Sequence, residues 1–332
     1  MSVIKKNLIF LVVLVMVIYG ISYYFANIKT DKVDQLDINP EVAQKKIVFS
    51  SPNKYVENYV EGVGGKKVKI VSSDSEICLM NADGTNRVAL TNNDVEDTQP
   101  DWSPDGKKIV YSSYRDGNKE LYIMTIDGRK KTKLTNLNGI CDYPAWSPDG
   151  EKIAFTYWNN GKKDIYVVKT DGTQLKQLTD VLPNVHNEYP SWSPDGEKIA
   201  YRSDKNKNAN IYIMSKDGSR KRSITEDLSY DGGYATWALD GKEMVITTHR
   251  DNNKELYLIN INGKIIKRLT NNKIYDGFPD LSQDGKSLVF VRYDNRFLKP
   301  RYKEIYIMDL ESGKARRITD NNFVDDNPKW NY

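Results

Sequence analysis

The chain has 332 residues, 39% of them hydrophobic and 28% charged, with a formal net charge of +4 and a pI near 8.6. So small an excess of positive charge excludes the lopsided basic surface of a nucleic-acid binder. Two cysteines constrain the redox compartment little.

The first element along the chain is apolar. Leu8 to Ala26 runs for 19 residues without a charge, behind Lys5 and Lys6. That length crosses a bilayer core as a helix. The positive flank predicts residues 1–7 in the cytoplasm, 8–26 as a transmembrane signal anchor, and everything that follows on the outside. A cleaved signal peptide is the competing reading. Gly20 and Ser22 offer small residues for cleavage, but Tyr23, Tyr24 and Phe25 continue the apolar run. No Cys stands near the end of the segment, so a lipoprotein anchor is excluded. Residues 27–44 are polar, mixing Asp31, Asp34, Asp37 and Glu41 with Lys29 and Lys32, and read as a tether.

From residue 45 onward the chain repeats. Trp-Ser-Pro-Asp-Gly stands at Trp102 to Gly106, Trp146 to Gly150 and Trp192 to Gly196. Looser copies follow at Trp237 to Gly241 and Leu281 to Gly285, and a sixth begins at Pro328-Lys329-Trp330. The spacings are 44, 46, 45, 44 and 49 residues, a period that indicates a propeller or solenoid. After each Ser-Pro-Asp-Gly comes a short apolar run such as Ile109-Val110-Tyr111. A polar loop leads to a second run such as Leu121-Tyr122-Ile123-Met124, then an Asp-Gly type turn, then a basic strand closing on Leu-Thr or Ile-Thr. Short β-branched and aromatic runs bounded by turn residues are strands, and proline and glycine give Ser-Pro-Asp-Gly its turn chemistry. With the strand that carries the Trp, each repeat has four strands and reads as a propeller blade.

The first repeat, from Lys46 to Thr91, lacks its Trp strand. That strand is found at the other end of the chain, Asn327 to Tyr332. The expected fold is therefore all-β: a six-bladed propeller of four-stranded blades over 45–332, closed by the C-terminal strand behind the N-terminal helix. Closure removes the exposed sheet edges of an open array.

The recurring Pro-x-Trp-Ser-Pro-Asp-Gly, Ile-Ala-Phe/Tyr, Ile-Tyr-x-Met, Asp-Gly and Leu-Thr resembles the WD-like propeller repeat of the TolB family, over roughly residues 45 to 332. The resemblance implies the fold and an envelope setting. TolB proteins carry an α/β domain before the propeller, used in a periplasmic complex. Here about 20 residues separate the apolar segment from the first blade, so the contacts of that domain are not carried over. Related propellers also precede the hydrolase domain of prolyl-oligopeptidase-type peptidases, and no such domain is read here.

The Ser-Pro-Asp-Gly and Asp-Gly turns fall on one end of a propeller, and the longer, variable loops on the other, where function concentrates. Asp97, Asp142, Glu188, Asp231, Asp276 and Asp325 each stand shortly before the innermost strand and are expected to ring one mouth of the channel. Such a ring attracts a cation, an amine or a basic peptide; alternatively these acids start turns and cap strands. Tyr114, Arg115, Trp158, His249 and Arg250 lie in loops of the same end. Trp158 is the one Trp off the repeat position, and is a candidate ligand anchor or a blade-packing residue. The basic outer strands read as edge protection. Residues 52–75 read as an added hairpin over the variable end. Cys78 and Cys141 fall in different blades and are expected to be free.

Only His186 and His249 are available, too few for a His-rich metal cluster. There is no Gly-x-Ser-x-Gly elbow and no phosphate loop. The expectation is a non-catalytic, membrane-tethered binding propeller for a protein, peptide or cell-envelope ligand, without cofactor or metal. The alternative is a carbohydrate-active hydrolase or lyase using the acidic mouth with His186 or His249.

Overall fold

The computed structural model describes residues 46–61, 67–180, 183–205, 208–225, 233–249, 253–294, 302–321 and 323–331, the side chains of 53–73, 294 and 302 excepted. Residues 1–45, with the expected anchor and tether, lie outside this set, as do Asp231 and Arg250. No helix among the described residues is long and apolar enough to cross a membrane.

Every blade is built from the same local chemistry. In the second blade the innermost strand, Asp97–Trp102, pairs antiparallel with Lys108–Ser113, which pairs with Glu120–Thr125, which pairs with the outermost strand, Lys131–Lys133. The Ser-Pro-Asp-Gly turn between the first two is held from within. Ser103 Oγ donates to Asp105 Oδ1 at 2.6 Å, and the same oxygen accepts the Lys107 N–H at 3.1 Å. Six four-stranded sheets repeat this arrangement, and each innermost strand touches that of the next blade, so the sheets close around a channel.

The Leu-Thr signature is a clamp. Thr91, Thr135, Thr179, Thr225, Thr270 and Thr319 are buried. Each accepts, at 2.9 Å, the N–H of the residue that opens the third strand's apolar run: Ile77, Leu121, Ile165, Ile211, Leu256 and Ile305. Thr135 also donates to Glu120 at 2.5 Å and Thr319 to Glu304 at 2.6 Å. The threonine thus satisfies a strand N–H and a buried carboxylate together, where neither finds water.

The apolar core lies between neighbouring blades. One cluster joins Ala200, Ile211 and Ile213 to Trp237, Met244 and Ile246, and another joins Val48 and Leu79 to Trp102, Ile109 and Tyr111. The turn glycines Gly84, Gly128, Gly172, Gly218 and Gly263 approach a carbonyl oxygen of the preceding blade. Gly263, at φ +84°, presses against the Ile224 carbonyl oxygen of the preceding blade, and a Cβ there would lie 1.7 Å from that oxygen. Only glycine tolerates both the backbone and the approach.

The ring closes as the sequence implies. Asp326–Trp330 pairs antiparallel with Lys46–Glu61, with Ile47 opposite Trp330 and Val48 opposite Lys329, giving the first blade its innermost strand. The added hairpin is also present. Lys46–Glu61 and Lys67–Asn81 extend past the other blades' strands, with Tyr55 opposite Ser73 through to Glu61 opposite Lys67, after a bulge between Pro52 and Tyr55. Cys78 and Cys141 are buried and free.

Candidate functional site

The channel is divided by one residue per blade. The innermost strands break register between Thr98 and Asp101, Asp142 and Ala145, Glu188 and Ser191, and Gly277 and Asp280. Inside each bulge the residue before the proline turns to positive φ: Gln99, Tyr143, Tyr189 and Phe278, with Asn327 in the same state in the first blade. Tyr234, which precedes Ala235 rather than proline, is the sixth member and is not among the positive-φ residues. Bulges re-aim side chains, and here all six line the channel cavity.

Four of these six are aromatic and consecutive around the ring. Tyr143 and Tyr189 meet edge to face at 4.5 Å between centroids, Tyr189 and Tyr234 approach to 4.2 Å, and Tyr234 and Phe278 to 4.0 Å. Tyr143 also reaches Tyr234, two blades away, at 5.8 Å. The rings therefore meet across the axis instead of lining its wall. Burial raises the pKa of all three tyrosines, so the tier is neutral. It separates a loop end from a turn end.

At the loop end the predicted acids occupy two levels. Asp97, Asp276 and Asp325 stand two residues before the tier and are fully buried. Asp276 holds Arg292 through two bonds of 2.7 and 2.9 Å, while Arg115 lies 3.8 Å from Asp97 and Arg87 lies 3.6 Å from Asp325. Asn93, Asn272 and Asn321 donate to the three carboxylates at 2.7, 2.7 and 2.8 Å. Asp142 and Glu188 stand one residue nearer the tier, level with Asp326. Each meets a lysine from the preceding blade: Lys119 with Asp142 at 2.9 Å, Lys163 with Glu188, and Lys303 with Asp326. Arg202 adds a second cation to Glu188 at 2.8 Å. The expectation of an open negative mouth is thus corrected. The acids are paired, Asp97, Asp276 and Asp325 within their own blades and Asp142 and Glu188 across a blade boundary, which cancels the field that a bare ring would project.

The other predicted loop residues are spread around this end. Trp158 is 41% exposed, with the Lys163 ammonium 5.7 Å from its ring. Tyr114 lies 5.4 Å from Lys119, and Arg115 stacks on Tyr122 at 5.7 Å. His249 neighbours Tyr275, whose ring lies against Tyr293. His186 donates its backbone N–H to Asp204. No group of three His, Cys, Asp or Glu side chains arranged to hold a metal exists among the described residues. The basic outer strands reach forward: Arg222 donates to the Ile261 carbonyl and Arg316 to the Ala82 carbonyl of the next blade's turn.

The turn end holds a feature that the loop-centred reading missed. A cavity of about 380 Å³ lies on this side of the tier. Its wall is Pro and Trp: Pro100, Pro144, Pro190 and Pro279 with Trp102, Trp146, Trp192 and Trp237. Its rim is Pro104, Pro148, Pro194 and Leu239, the last 56% exposed. Among the described residues the only charged ones in the lining are Asp101, Asp280 and Lys329, each the x of a Pro-x-Trp or Pro-x-Leu. Their blades are adjacent, with Lys329 between the aspartates. Lys329 binds Asp280 at 3.0 Å. Burial raises the Asp101 pKa to about 6 against the pull of Lys329.

The two aspartates also break the repeat's bonding. Trp102, Trp192 and Trp237 donate their indole N–H to the carbonyl of the preceding blade's x residue, at 3.1 to 3.2 Å. Where that residue is aspartate, its carboxylate takes the backbone N–H of the next tryptophan instead: Trp146 to Asp101 at 2.7 Å and Trp330 to Asp280 at 2.9 Å. The Trp146 indole then turns to Gly150, and the Trp330 indole nitrogen is left buried without a partner. The sequence signal was present, since charged residues at x stand only at 101, 280 and 329.

Comparison with known proteins agrees with this architecture. TolB from Acinetobacter baumannii superposes with a TM-score of 0.71 at 20% identity, covering 87% of this chain and 67% of that one. A putative TolB from Agrobacterium tumefaciens gives 0.63 at 21% identity, covering 83% and 89%. A chain of a nidogen/laminin complex gives 0.61 at 14% identity, covering 86% and 97%. No curated protein matches the sequence. The TolB beta propeller domain family matches residues 42–238, more than half of the sequence, and the chain belongs to that family.

Proposed function

We propose that the chain is a non-catalytic binding module, tethered outside the cytoplasmic membrane by residues 8–26, that seats an apolar part of a protein, peptide or envelope ligand in the Trp–Pro cup at the turn end of its channel. The cup carries this reading. It is concave, lined by aromatic and proline side chains with a few convergent polar groups, and falls within the size range of ligand sites. The loop end, by contrast, has its charges already paired. Family membership supports a binding role, and the nidogen/laminin neighbour was solved in a protein complex.

The test is retention of an envelope component by the full-length chain in detergent, beside Leu239→Glu and Trp158→Ala. Leu239 and Trp158 are exposed and lie at opposite ends of the channel, so both variants keep the fold. Loss of retention with Leu239→Glu alone supports the cup. Loss with Trp158→Ala alone moves the contact to the variable loops and overturns it.

A further inference from the structure

From the cup's charge and lining we infer that it binds a primary ammonium group carried on an apolar body, with Asp101 as the carboxylate that receives it. The inference rests on the cup being the ligand seat and adds the chemistry of the ligand.

Three observations carry it. The first is charge. Two carboxylates face one ammonium in the cavity, and among the described residues no other ionisable side chain but the neutral tier tyrosines lines it, so the cup carries one negative charge beyond its own pairing. The second is geometry. Asp280 spends both oxygens, Oδ1 on Lys329 and Oδ2 on the Trp330 N–H. Asp101 takes the Trp146 N–H on Oδ2, with the Trp102 backbone N–H as its other donor, and lies beyond ion-pair distance of Lys329. Asp101 is 4% exposed and lines the cavity, so its carboxylate is held in a low-dielectric wall with backbone donors but no cation in contact. The third is asymmetry. The polar residues Gln99, Asn327 and Lys329 share one half of the wall with the two aspartates, and Tyr143, Tyr189 and Tyr234 with three tryptophans form the other. A ligand with a charged end and an apolar end is matched by both halves.

A charge-assisted hydrogen bond is strongest in such a site, and Trp and Pro walls take up the apolar body. A divalent cation fits less well, because only one of the two carboxylates is without a cation of its own and no third ligand stands beside it among the described residues. Asp101 must be ionised to act. Its pKa is about 6, set by burial and then by Lys329 and Asp280, so binding weakens as pH falls through that range.

The experiment is calorimetric titration of the full-length chain in detergent with tryptamine, 3-ethylindole and a capped Pro-Lys-Leu peptide. Tryptamine binding about 10- to 100-fold more tightly than 3-ethylindole is expected, with Asp101→Asn removing that advantage. Asn keeps an acceptor for the Trp146 N–H, and the comparison of the two indoles on the unmodified chain depends on no variant. The peptide binding more tightly than tryptamine makes the source of the ammonium a polypeptide lysine; the reverse makes it a free amine; both uphold the inference. Equal affinity for the two indoles, both weakened by Leu239→Glu, overturns the ammonium and leaves the cup standing. No binding of any probe overturns the ammonium as well, while retention by the Leu239→Glu variant still reports on the cup independently.

Discussion

The two ends of the channel are built from the same six strands, yet they treat charge in opposite ways. At the loop end Asp97, Asp142, Glu188, Asp276, Asp325 and Asp326 each have a cation beside them, and for three of them that cation recurs with the blade. Lys119, Lys163 and Lys303 each stand two residues before the apolar run of a third strand, and each meets the acid one residue before the tier on the next blade. At the turn end the repeat supplies Trp, Pro and small residues, and the charges at 101, 280 and 329 are departures from it. Charge that keeps the period belongs to the scaffold. Charge that breaks the period, and displaces two indoles from their usual acceptor, has no scaffold reason to be there. Repeat position therefore separates structural from functional polarity better than residue type does.

The largest effect is expected from Arg292→Ala, which leaves Asp276 fully buried without its two-bond partner. Removing one member of a buried pair costs about 3–5 kcal/mol. Chemical denaturation reads this directly, and a loss near zero would mean that the loop-end pairs do not support the fold. Thr135→Val follows. It strips the acceptor from the Leu121 N–H and the donor from Glu120, at a cost of about 2 kcal/mol for orphaned buried groups.

A pH series tests the same clamp. Burial raises Glu304 to about 7, and Thr319, Asp325, Asn321 and Arg317 act on it more weakly. Its folded pKa lies above its unfolded one, so the native state holds the extra proton between the two values. Stability from this group is present below the unfolded pKa and lost as pH rises towards 7. Glu304→Gln is expected to gain on the parent progressively from about pH 4.5 to 7, then to run parallel. A constant difference across that range in equilibrium unfolding would show that the carboxyl does not titrate there. The smallest effect is at the turn end. Asp101→Asn keeps the Trp146 acceptor and is expected to change stability by less than about 1 kcal/mol, while altering ligand affinity. A large loss of stability would make Asp101 a scaffold residue and erase the contrast between the two ends.

Much of the fold was legible because it is written in local chemistry repeated along the chain. The period, the four strands per blade, the turn motifs, the added hairpin, the free cysteines and the closing strand at Asn327 to Tyr332 all follow from residues within one repeat, or from one repeat missing a part. The site was less legible. Asp97, Asp142, Glu188, Asp276 and Asp325 read as one ring because they share a distance to the Trp motif, give or take a residue. In a strand that single residue changes which neighbour a side chain meets, and it sets Asp97, Asp276 and Asp325 apart from Asp142 and Glu188. Their partners stand on another strand or on the adjacent blade, where no local pattern announces them.

By itself, then, the sequence determined the repeat, its strands and turns, and the closure of the ring, since these depend on propensity, pattern and turn chemistry within about 45 residues. The tertiary structure alone decided which side chains share the axis. The bulge at each pre-proline position turns Gln99, Tyr143, Tyr189, Phe278 and Asn327 into the channel through positive φ, a backbone state that residue identity does not encode. Packing six blades in a circle then brings Asp280, Lys329 and Asp101 side by side, from residues as far apart as 101 and 329.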